Sequence, residues 1–139
     1  MDLIADVFFA ILEENPKVQL ICVGPKIDEY GKLAAAKLDM MMKKYPTRVY
    51  SNPAFTQLPS YVHSGAEFAL IPSRDEPFGL VAVEFGRKGA LGVGARVGGL
   101  GQMPGMFYED ILHDQMLTAI YRLVVHHRVN CAGAPSHSV

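Results

Sequence analysis

Apolar and polar positions along the chain switch repeatedly between a helical period and short strand-like runs. Residues 2–14, DLIADVFFAILEE, set Leu3, Ile4, Val7, Phe8, Ile11 and Leu12 at i, i+3, i+4 spacing, the stripe of an amphipathic helix that Asn15-Pro16 ends. VQLICVG, 18–24, is rich in β-branched residues and closed by Gly24-Pro25, as a strand buried on both faces would be. A helical pattern over 27–45 follows, with Leu33, Ala34, Leu38, Met41 and Met42 on one side; the run Met40, Met41, Met42 reads as core filling. RVYSN, 48–52, predicts a strand, Leu58 to Ser64 a short helix, and FALIP, 68–72, a buried strand ending in a Pro-Ser turn. SRDEPFG then leads into a helix from Leu80 to Lys88, ALGVGA (90–95) into a glycine-softened strand, and RVGGLGQMPG into a glycine-rich turn.

Strands alternating with helices predict an α/β fold: an open, mainly parallel, Rossmann-like sheet with helices on both faces. Ligands in such sheets bind beyond the C-terminal ends of the strands, where the loops 72–80 and 96–105 fall. The pattern from Tyr108 to Val125 can be drawn as one more helix, whereas residues 126–139 have no period and read as a tail. Residues 1–125 are thus expected to form one domain. His126 and His127 are adjacent, point different ways on a helix, and make a poor metal pair.

Composition narrows the class. Half of the 139 residues are hydrophobic and 19% are charged, enough apolar material for a core. The net charge is -1 with dispersed basic residues, which lacks the footprint of a nucleic-acid binder. Cys22 sits in an apolar run as a core residue, and neither Cys22 nor Cys131 belongs to a zinc-ligand cluster. There is no run of about twenty apolar residues and no basic leader, so a soluble segment without membrane contact is expected.

The chemistry concentrates in PSRDEPFGL, 72–80, where Glu76 is followed at Glu84 by a second carboxylate, an E-x7-E spacing near one helix N-terminus. First-turn amides lack internal partners, so the N–H groups of Phe78, Gly79 and Leu80 suit a phosphate, and Gly79 lets backbone approach a ligand. Ionised carboxylates only accept hydrogen bonds and suit hydroxyl-rich groups; a nucleotide sugar supplies both phosphate and hydroxyls. The same residues also read as a capped helix, with Asp75 or Glu76 as cap and Glu84 solvated. Gly98, Gly99 and Leu100, in RVGGLG, form either a phosphate-cradling loop or a simple turn, but not a dinucleotide fingerprint or P-loop.

Taken together, PSRDEPFGLVAVE, the strand after it and RVGGL resemble the C-terminal domain of GT-B-fold retaining glycosyltransferases of the starch/glycogen synthase family. Within that family DLIADVF, ILEENPKVQLICVGP and IPSRDEPFGLVAVEFGRKGALGVGARVGGLGQMPG are similar to the synthase domain of fungal α-1,3-glucan synthases, over residues 2–105. The resemblance implies a hexosyltransferase that moves glucose from a nucleotide sugar, UDP-glucose or ADP-glucose with UDP-glucose favoured, to an α-glucan. It assigns Glu76 the catalytic contact with the hexose hydroxyls and the amides of Phe78, Gly79 and Leu80 the distal phosphate. Glu84 receives the ribose hydroxyls, and Gly98, Gly99 and Leu100 lie beside the sugar or diphosphate. No DxD motif occurs, and neither cofactor nor metal is expected. The resemblance also implies an Arg/Lys pair on the donor diphosphate, ahead of Asp2, and an N-terminal acceptor domain; the parent enzyme would be membrane-associated with this region cytosolic. The chain is accordingly expected to be an inactive donor-binding part of such an enzyme, with a non-catalytic nucleotide- or sugar-binding module as the alternative.

Overall fold

The computed structural model describes residues 2–73, 76–103 and 106–108. In chain order it runs α1 (Asp2–Glu14), β1 (Leu20–Val23), α2 (Glu29–Lys44), β2 (Val49–Asn52), α3 (Ser60–Gly65), β3 (Phe68–Ile71), α4 (Leu80–Gly86), β4 (Leu91–Ala95), a 3-10 turn (Leu100–Gln102) and β5 (Met106–Tyr108). All strand pairs are parallel, but they form two small sheets, β1-β2 and β3-β4-β5, where the sequence predicts one. The sheets still share one core: Leu20, Cys22 and Val49 of the first pack in the same cluster as Val93 and Ala95 of the second.

Helix α1 anchors that cluster. Ile4, Val7, Phe8, Ile11 and Leu12 are all buried, as their spacing predicts, each such burial contributing about 1.5–3 kcal/mol; Leu3 lies outside the described side chains. The chain turns at Asn15, whose buried side-chain amide donates to Ile11 O at 3.1 Å. Arg48, just before β2, reaches back to donate to Asn15 O (3.0 Å) and Leu12 O (3.1 Å), placing a cation on the carbonyl end of α1. Its guanidinium also lies 4.5 Å from the centre of the Tyr45 ring.

Helix α2 begins at Asp28, whose carboxylate accepts from Gly31 N–H at 2.7 Å as an N-cap. Ala34, Leu38 and Met41 form its buried stripe, and Met42 packs beside them. Leu33 is 56% exposed, contrary to its predicted core position, because it sits about 100° around the helix from Ala34. Ion pairs Lys37–Asp6 and Lys44–Glu13 bridge α2 to α1 at the surface, where such pairs contribute little. β5 replaces the start of the helix predicted from Tyr108: Met106, Phe107 and Tyr108 pair with Val93, Gly94 and Ala95. The rest of that predicted helix, the tail from residue 126, His126, His127 and Cys131 lie outside the described residues. No helix among the described residues is long and apolar enough to cross a membrane.

Candidate functional site

Because β3 and β4 are adjacent and parallel, the loops that follow them, 72–79 and 96–103, leave the sheet at the same end. They meet there. Gly99 N–H donates to both Glu76 O (3.1 Å) and Pro77 O (3.0 Å), tying one loop to the other by backbone alone. Only glycine permits the approach. An ideal Cβ at Gly98 would fall inside van der Waals contact with Glu76 O, and one at Gly99 would do so with Pro77 O and stand 3.1 Å from Phe78 Cα. Gly98 also takes φ +48, a left-handed conformation that disfavours other residues. Leu100, 2% exposed, plugs the space beneath: its Cδ2 would meet a Cβ on Gly94 at 2.8 Å and its Cα one on Gly79 at 3.2 Å.

Glu76 is the hub of this clasp. Its carboxylate accepts from Ser73 Oγ–H (3.1 Å, to Oε2) and from Gly79 N–H (3.1 Å, to Oε1), while its carbonyl takes the Gly99 amide. A carboxylate offers roughly four acceptor positions, of which the described residues fill two. Helix α4 starts after Gly79, which has φ +70 and gives it no side-chain cap. The capping reading is therefore met in altered form: Glu76 binds the amide of the residue preceding the helix, and Asp75 lies outside the described residues.

The predicted residues separate into those the fold gathers and those it leaves apart. Glu76, Gly79, Gly98, Gly99 and Leu100 form one packed unit. Phe78, 73% exposed, and Leu80, 67% exposed, project from its rim. The Gly79 amide is committed to Glu76, whereas the N–H groups of Phe78 and Leu80, at the mouth of α4, have no hydrogen-bond acceptor among the described residues. Glu84 is exposed and is the fifth residue of α4, just past its first turn, as the E-x7-E spacing places it. Ser73 carries no predicted role; it lies three residues before Glu76 and meets it side chain to side chain. His63 packs its ring 4.7 Å from that of Phe85, fixing α3 against α4. Among the described residues no cluster of three or more His, Cys, Asp or Glu has metal-binding geometry.

Parallel strands, helical crossovers and two interlocked glycine loops at the C-terminal strand edge define a Rossmann-like α/β unit. No protein-family model matches the chain. Curated relatives do. It is 76% identical over 109 residues to the cell wall alpha-1,3-glucan synthase ags1 of Schizosaccharomyces pombe, covering 78% of this chain and 4% of the relative. Identity is 69% over 108 residues to mok11 of the same organism, another cell wall alpha-1,3-glucan synthase, again 78% of this chain and 4% of the relative. The glycogen synthase of Rhodopseudomonas palustris is 37% identical over 101 residues, 72% of this chain and 20% of that protein. By sequence the chain is related to the starch/glycogen-synthase-like glycosyltransferases, and it spans about 4% of the length of the glucan synthases it matches.

Proposed function

We propose that these residues form the donor-binding part, the C-terminal GT-B domain, of a retaining hexosyltransferase that transfers glucose from UDP-glucose to an α-glucan. The observation that carries this reading is the Glu76-centred clasp at the C-terminal edge of β3 and β4, in a chain of glucan-synthase sequence. In it the open acceptor positions of Glu76 take hexose hydroxyls, and the amides of Phe78 and Leu80 take the distal phosphate. Glu84, exposed on α4, accepts from the ribose hydroxyls, and Gly98, Gly99 and Leu100 wall the sugar or diphosphate side.

In the transfer, the bond from the anomeric carbon to the phosphate oxygen breaks and a bond to the acceptor oxygen forms on the same face. The acceptor proton passes to the departing diphosphate, so no protein nucleophile is needed. The task of Glu76 is to hold the hexose in register for that exchange. The acceptor α-glucan would be held by a separate domain. No resident metal or cofactor takes part.

Calorimetric titration of the chain with UDP, ADP and their glucose conjugates tests the reading. Donor binding that is lost in Glu76→Ala and Glu84→Ala and unchanged by EDTA is the expected result; absence of binding at millimolar donor overturns it. The alternative reading is a non-catalytic nucleotide- or sugar-binding module. Glucosyl transfer from UDP-glucose to an α-glucan by the 139-residue polypeptide would eliminate that second reading.

A further inference from the structure

The carboxylate of Glu76 is held by two donors, and one of them belongs to a residue with no role in the donor contacts above. Ser73 lies two residues beyond the end of β3, is half-buried, and donates its hydroxyl to Glu76 Oε2 at 3.1 Å. Gly79 N–H holds Oε1 from the start of α4, and Gly99 N–H holds the Glu76 carbonyl from the second loop. Two donors from its own loop and one from the second loop thus converge on one residue. Of the three contacts only that from Ser73 comes from a side chain, so it alone can be removed without touching the backbone.

We propose that Ser73 is a positioning residue for sugar recognition: its hydroxyl fixes the rotation of the Glu76 carboxylate, so that the free acceptor positions already face the hexose before the donor arrives. The inference rests on the donor-site reading above. A glutamate side chain has several rotatable bonds, and a carboxylate tethered at one oxygen still swings about that tether. The second tether removes this freedom in advance, and pre-ordering raises affinity by cutting the entropy lost on binding. Ser73 touches Glu76 and acts through it. Its effect therefore falls on the affinity gained from the glucose moiety, not on affinity for the nucleotide.

Calorimetric titration of UDP-glucose and of UDP into wild-type chain, Ser73→Ala and Ser73→Thr separates these effects, with thermal melts of each variant to verify folding. Ser73→Ala is expected to weaken UDP-glucose binding about tenfold, the value of one hydrogen bond to a charged group, and to leave UDP binding unchanged. Ser73→Thr, which keeps the hydroxyl, is expected to restore wild-type UDP-glucose affinity. If Ser73→Ala retains the full glucose increment, or weakens UDP and UDP-glucose equally, the positioning role is wrong while the donor-site reading stands. If the wild-type chain binds UDP and UDP-glucose with the same affinity, the hexose contact of Glu76 is itself wrong and Ser73 has nothing to position.

Discussion

Gly99→Ala probes the contact that joins the two loops. Gly99 has φ -65 and ψ -31, values any residue adopts, so the substitution introduces no backbone strain of its own. Its whole effect comes from the added methyl, which would overlap Pro77 O and stand 3.1 Å from Phe78 Cα and from Pro77 C. Those neighbours are backbone and cannot swing aside, so the loop 76–78 has to withdraw. Overpacking of this kind costs about 1–3 kcal/mol. Withdrawal also breaks the Gly99 N–H bonds to Glu76 O and Pro77 O, a further cost of about 1 kcal/mol. The sum is about 2–4 kcal/mol, or a fall in Tm of about 8–16 °C for a domain of this size. Gly86→Ala is the matched control: nothing lies within 4 Å of its Cβ position, and it closes helix α4. It is expected to raise stability by about 0.5–1 kcal/mol through reduced unfolded-state entropy. Circular-dichroism melts of both variants give the comparison. A Gly99→Ala protein that melts with wild type would show that the loops are not interlocked through this residue.

Other expectations concern the core. Arg48→Ala removes two charge-assisted bonds to the carbonyl end of α1 and is expected to cost about 2–3 kcal/mol in urea denaturation; Arg48→Lys recovers less than half, since an ammonium cannot reproduce the fork. Burial pushes the Cys22 thiol above its ordinary value of 9.0, so the unfolded chain ionises first and stability falls as pH rises through and beyond that value. Mass-spectrometric mapping is expected to find Cys22 unalkylated by iodoacetamide in the folded chain at pH 8.5 and alkylated in urea.

Much of the fold was legible because burial imposes period. Ile4, Val7, Phe8, Ile11 and Leu12 announced α1, and the runs around Cys22 and Ala69 announced β1 and β3. Boundaries and partnerships were less so. β5 is a three-residue strand whose state depends on pairing with Val93–Ala95, a non-local fact that Met106, Phe107 and Tyr108 do not encode in their own spacing. The division into two sheets likewise depends on which edges pair, and Leu33 faces solvent because a stripe of alternate i+4 and i+3 steps at 34, 38 and 41 fills the helix's core-facing side.

For the site, the sequence pointed to Glu76 and the glycine pair but not to what holds them. The glycines read as either a phosphate-cradling loop or a simple turn, and neither reading shows that their Cβ positions face the backbone of Glu76 and Pro77. That contact crosses more than twenty residues of sequence and no motif records it. The commitment of the Gly79 amide to Glu76 is equally a product of the folded loop, and it reduces the amides free for a phosphate.

The central claim is that the clasp between loops 72–79 and 96–103 binds a nucleotide sugar. Its most direct test is a chemical-shift map of the 15N-labelled chain titrated with UDP-glucose. The expected result is perturbation concentrated at Glu76, Phe78, Gly79, Leu80, Glu84 and Gly98 to Leu100, with α1 and α2 unmoved. No perturbation at saturating donor, or changes confined to α1 and α2, would contradict it.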